Sequence, residues 1–64
     1  MMKYRIKEIR RAKGMTLGEL AEKARLSAPL LLALEDGKLK LVTTETLLNV
    51  AKALETRVDD LFYL

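Results

Sequence analysis

The stretch from Met15 to Gly37, MTLGELAEKARLSAPLLLALEDG, constrains the chain most, because it carries two sets of helix start signals in close succession. Thr16 offers a hydroxyl to the free backbone amides of a helix, and Glu19, three residues on, completes a reciprocal capping box. Met15 and Leu20 flank that cap at the spacing of a hydrophobic staple. Leu20, Ala21 and Ala24 then recur at helical spacing, while Glu19, Glu22 and Lys23 fall on the opposite, solvated side. Ser27 starts the next helix, with Leu26 and Leu31 as its staple and Pro29 in its first turn, where the missing amide hydrogen costs little. Gly37 supplies the stop. Only Arg25 and Leu26 lie between the last turn of the first of these helices and the cap of the second, so the two must cross steeply.

The rest of the chain reads as support for this pair. A first helix is predicted over about Tyr4 to Lys13, with Ile6, Ile9 and Ala12 inward and Gly14 as its stop. Ala28 to Glu35 forms the third helix, with Leu31 and Leu34 in the core and Ala28, Pro29, Leu32 and Ala33 outward; Leu30 lies at the margin. Thr44 to Leu54 follows as a central core helix carrying Leu47, Leu48, Val50, Ala51 and Leu54. Glu55 and Thr56 leave its end loosely specified. A short fifth helix runs from about Val58 to Phe62, with Asp59 and Asp60 complementing its dipole, and Tyr63 and Leu64 close the chain without a tail.

Size and composition narrow the function. A chain of 64 residues supports one domain, of which folding buries only about 60% of the unfolded surface. No apolar run approaches the roughly 20 residues of a membrane span, and the charged first dozen residues are no signal peptide. With neither cysteine nor histidine, the chain has no disulfide framework, thiol nucleophile, imidazole base or ordinary zinc site. Its carboxylates sit at caps and helical charge spacings, which favours solvated faces over acid/base chemistry, so no enzyme, cofactor, metal or small-molecule substrate is expected. The formal net charge is +3, concentrated at the start: Lys3, Arg5, Lys7, Arg10, Arg11 and Lys13 face Glu8 alone. That balance suits a phosphate backbone or another anionic surface.

The segments IKEIRRAKGMT, GELAEKARLS, LEDGK, TETLLNVAKAL and VDDLF, in that order, resemble the lambda-repressor-like, Cro-type helix-turn-helix domain of small bacterial and phage regulators. The resemblance spans essentially residues 1–64 and implies an all-α, compact five-helix domain with a central helix-turn-helix. It implies a cytoplasmic, nucleoid-associated transcription regulator that binds double-stranded DNA with its third helix in the major groove, commonly as a homodimer on half-sites one helical turn apart. Carried over by position, Leu17, Ala28, Pro29, Leu32 and Ala33 face the bases, and Thr16, Ser27, Lys38, Lys40, Thr43 and Thr44 approach the phosphates. Arg10 corresponds to the family's arginine that pairs with the acidic residue ending helix three, here Glu35.

The chain departs from the family where DNA is read. The base-facing positions are apolar, so hydrogen-bond readout of guanine or adenine is closed to their side chains, and contact with thymine methyl groups remains. An alternative follows: Leu17, Leu30, Leu32, Leu39, Leu41 and Val42 form an apolar face for protein association, a surface rebuilt for a partner or for a chosen DNA sequence.

Overall fold

The computed structural model describes residues 3–63, so Leu64 and the first two methionines lie outside the described residues. Four α-helices follow one another: α1 (Ile6–Ala12), α2 (Leu17–Ala24), α3 (Ala28–Glu35) and α4 (Thr44–Ala53). The fifth element, Val58–Leu61, is a 3-10 helix, so the expected fifth α-helix is corrected to one tight turn. Four residues leave room for little more. Among the described residues there is no strand, only a lone antiparallel bridge between Tyr4 and Phe62.

Start signals act as read. Thr16 Oγ1 accepts from the Glu19 amide at 3.1 Å and the Glu19 carboxylate accepts from the Thr16 amide at 2.9 Å, a complete capping box. Ser27 Oγ accepts from the Leu30 amide at 3.2 Å, and Thr43 Oγ1 from the Thr46 amide at 3.1 Å. Each helix end shows one device. Gly14, Arg25, Gly37 and Glu55 take left-handed φ values of 70, 59, 69 and 53°. The next amide then reaches back across the last turn: Met15 to Arg10, Leu26 to Ala21, Lys38 to Ala33 and Thr56 to Ala51, at 2.9–3.0 Å. Two of the four left-handed positions are therefore charged residues where glycine is the relaxed choice. The end of α4 is consequently as sharp as the others, despite Glu55.

The core joins Ile6 of α1, Leu20, Ala21 and Ala24 of α2, Leu31 and Leu34 of α3, Val50 and Ala51 of α4, Leu54 and Leu61. α2 packs against both α3 and α4. On α1 the expectation needs correction: Ala12 is exposed, and Arg10, at 8% exposure, points inward. α1 also starts at Ile6 rather than Tyr4, because Tyr4 is extended and paired with Phe62.

Arg10 is buried because it is answered. Its Nε donates to Glu35 Oε2 at 2.7 Å, Nη2 to Glu35 Oε1 at 3.2 Å and Nη1 to the Met15 carbonyl at 3.0 Å. The Glu35 side chain is fully enclosed. This fork joins α1, the entry to α2 and the last residue of α3. The Glu35 hydrogen bond holds the Arg10 guanidinium above its ordinary pKa.

A second tie closes the ends of the chain. The Arg5 amide donates to the Leu61 carbonyl and the Tyr63 amide to the Lys3 carbonyl, on either side of the Tyr4–Phe62 bridge. The Tyr4 and Phe62 rings lie 5.3 Å apart. The Tyr63 hydroxyl donates to Glu8 at 2.8 Å, and Arg5 both pairs with Glu8 and lies 5.6 Å from the Tyr63 ring centre. The Tyr63 hydroxyl, more than Arg5, holds the Glu8 carboxyl below its ordinary value.

Two outcomes are expected. Glu35→Ala leaves a buried guanidinium without its carboxylate and should destabilise by about 2–4 kcal/mol, lowering the thermal midpoint by roughly 10 °C or more; a melt shifted by only a degree contradicts a structural role for the pair. Tyr63→Phe should move the Glu8 titration upward toward 4.5. Because the folded-state pKa is depressed, the stability that Glu8 contributes is present above that ordinary value and is lost as the pH falls through the folded one. A carboxyl-carbon NMR titration of Glu8 that is unchanged in Tyr63→Phe refutes the assigned cause.

Candidate nucleic-acid interface

α3 is apolar around nearly its whole circumference, yet only one side is buried. Leu31 and Leu34 are fully enclosed, whereas Leu30 and Leu32 are 40% and 45% exposed. Ala28 and Pro29 are exposed in the first turn, and Ala33 is half-buried. At 100° per residue, Pro29, Leu32 and Ala33 lie on the side opposite Leu31 and Leu34. Leu17, expected beside them, is half-buried and packs on the core, so its contribution to an outward surface is small.

The residues expected at phosphates sit at helix starts and in the α3–α4 loop. Thr16, Ser27 and Thr43 are the caps of α2, α3 and α4, and Thr44 opens α4 in an exposed position. Thr16 and Ser27 spend their oxygen lone pairs on amides and keep their own O–H for an acceptor such as a phosphate oxygen. Thr43 differs, since its hydroxyl also donates to Thr46 Oγ1 at 2.9 Å. Lys38 and Lys40 are exposed just beyond Gly37, which turns the chain out of α3.

A polar cleft between the end of α2 and one side of α4, from its cap to its last turn, is lined by Lys23, Arg25, Leu26, Thr43, Glu45, Thr46, Asn49, Lys52 and Ala53. It brings the α4 amino terminus beside the turn that leads into α3. Three cations surround it against one carboxylate. Arg25, Lys23 and Lys52 were not singled out in the sequence, because each reads as an ordinary solvated charge; only the left-handed conformation of Arg25 marks it, and spacing does not reveal that.

The apolar face considered for association is half closed. Leu39 and Val42 fold back, with Leu17, against the core, leaving Leu30, Leu32 and the 86% exposed Leu41 outward. Val42 and Leu39 also line a shallow apolar groove with Tyr4, Leu47 and Phe62. Among the described residues no cluster of three or more acidic side chains could hold a metal ion, and no helix is long and apolar enough to cross a membrane.

No similar sequence is found among curated proteins. Solved structures do match. The clp gene regulator ClgR from Corynebacterium glutamicum superposes with a TM-score of 0.79 at 44% identity, covering 86% of this chain and 57% of that one. The N-terminal DNA-binding domain of SinR from Bacillus subtilis gives 0.78 at 34% identity, covering 86% and 80%. SinR in complex with SinI gives 0.78 at 35%, covering 84% of this chain and 52% of that one. The chain thus spans little more than half of two of these proteins. The family of Cro/C1-type HTH DNA-binding domains matches residues 5–64. On that match and these identities, the chain belongs to the Cro/C1-type helix-turn-helix family of DNA-binding domains.

Proposed function

We propose that this chain acts as a double-stranded DNA-binding module of a transcription regulator, placing the outward side of α3 in the major groove. The observation that carries the reading is the exposed α3 side, with Ala28, Pro29 and Leu32 outward, flanked by Lys38, Lys40 and the exposed caps Thr16 and Ser27. A groove-entering helix needs this arrangement: contact surface at its centre, phosphate donors and cations at its edges. Ala28, Pro29, Leu32 and Ala33 form the base-facing set, with Leu17 at its rim. Thr16, Ser27, Lys38, Lys40 and Thr44 contact phosphates. Thr43 does so through the amides of the helix it caps, and Arg25 adds a cation from the turn. The role is one of binding, without catalysis.

One copy makes few phosphate contacts, so a second copy on a neighbouring half-site follows as the way to useful affinity. ClgR is a gene regulator and SinR carries a DNA-binding domain by their descriptions, and transcription control by this chain rests on the likeness to ClgR. Self-association through the apolar face is the weaker reading, since half of its residues cover the chain's own core.

Binding to a mixed-sequence duplex should weaken steeply with added salt, log K falling linearly with log salt concentration. Lys38→Ala and Lys40→Ala should each reduce that slope by about one and weaken all sequences alike. Affinity that stays flat with salt refutes the proposal.

A further inference from the structure

The first turn of α3 is depleted of hydrogen-bond donors in its backbone as well as its side chains. From Ala28 to Leu34 no side chain carries a polar atom, and the Glu35 carboxylate is enclosed and committed to Arg10. Pro29 has no amide hydrogen. The Leu30 amide is taken by Ser27 Oγ and the Leu31 amide by the Ser27 carbonyl. At the tip there remain the Ala28 amide and the Ser27 O–H, the latter assigned above to a phosphate. A polar base edge pressed against Pro29 and Leu32 would lose its water without a replacement partner, a penalty of the kind that makes a site reject a ligand. The apolar feature that the major groove offers is the C5-methyl group of a pyrimidine.

We infer that this domain reads DNA by the C5-methyl groups of pyrimidines, seated against Leu32 and the Pro29 ring, and not by hydrogen bonds to base edges. The inference rests on the DNA reading above and supplies its selectivity. Charge fits the occupant: Lys38 and Lys40 stand exposed just past the end of α3, and Arg25 lies in the turn before it, so the apolar strip is framed by cations as a groove wall framed by phosphates requires. Thymine and 5-methylcytosine carry the same methyl group and present the same chemistry.

The test measures binding at low salt to four alternating duplexes: dA-dT, dA-dU, dG-dC and dG-dC with every cytosine 5-methylated. dU keeps the edge of dT and lacks only its methyl. The dA-dT duplex should bind tighter than dA-dU by about fourfold for each methyl buried. A matching gain on methylating dG-dC identifies the methyl group whichever base bears it; a gain confined to the dT and dU pair identifies thymine as the source. Leu32→Ala, at an exposed position, should retain helicity and lose affinity for the methylated duplexes more than for dA-dU, so that the dT-to-dU ratio falls toward one. Equal affinity for dA-dT and dA-dU, with salt-dependent binding intact, overturns the inference and leaves the DNA reading standing. A ratio undiminished in Leu32→Ala overturns it too, because Leu32 then seats no methyl group. Absence of binding to all four overturns both.

Discussion

The joint made by Arg10 is the interaction on which the arrangement depends. One guanidinium reaches the carboxylate that ends α3 and the carbonyl that leads into α2, so its fork sets the relation of three helices at once. The need for it lies in α3 itself. A helix reading APLLLALE is apolar on nearly every side, and burial energy distinguishes poorly between one rotation of such a helix and another. Glu35 breaks that degeneracy. Only one rotation delivers its carboxylate to Arg10 while Leu31 and Leu34 enter the core, and any other would strand a buried charge. The pair contributes orientation more than net stability, and orientation is what decides which leucines remain outside.

Helices this short are marginal in water, so the fold relies on their ends. Three of the four α-helices begin with a hydroxyl cap, and all four end on a left-handed residue with an amide reaching back over the last turn. Those ends also place the outward groups: the caps present Thr16 and Ser27, the left-handed Arg25 turns the chain into α3, and Gly37 turns it out toward Lys38 and Lys40. The start and stop chemistry of the helices and the surface proposed for phosphates are thus largely the same residues. The clasp of Tyr4, Phe62, Glu8 and Tyr63 ties the segment before α1 to the residues after the 3-10 helix, and its Tyr4 and Phe62 line one groove with Lys40 of that surface.

What could be read from the chain alone follows from how local each cause is. The capping box, the Ser27 cap and the Gly37 stop are local chemistry, and α3 runs from Ala28 to Glu35 as those signals require. Periodicity failed on α1, where Ala12 looked inward and Arg10 did not, because the buried arginine is stabilised by a residue far along the chain. The pairing itself came only from the family resemblance. The bridge between Tyr4 and Phe62 was not legible for the same reason, and it shortened the first helix. The apolar loop residues divided: Leu39 and Val42 found the core and Leu41 did not, a matter of tertiary reach that alternation with lysine conceals. Arg25 lies in the cleft beside α4 through a backbone conformation that its side chain gives no reason to expect.

The central claim is that Arg10 and Glu35 hold an apolar side of α3 outward, where it meets duplex DNA. Amide chemical-shift mapping of the labelled protein during titration with a duplex tests it most directly. The account predicts changes concentrated at residues 28–33, at Thr16 and Ser27, and from Lys38 to Thr44, with the Tyr63–Glu8 clasp unmoved. Changes centred on the clasp or on the exposed side of α1, or none at all with the fold intact, would contradict it.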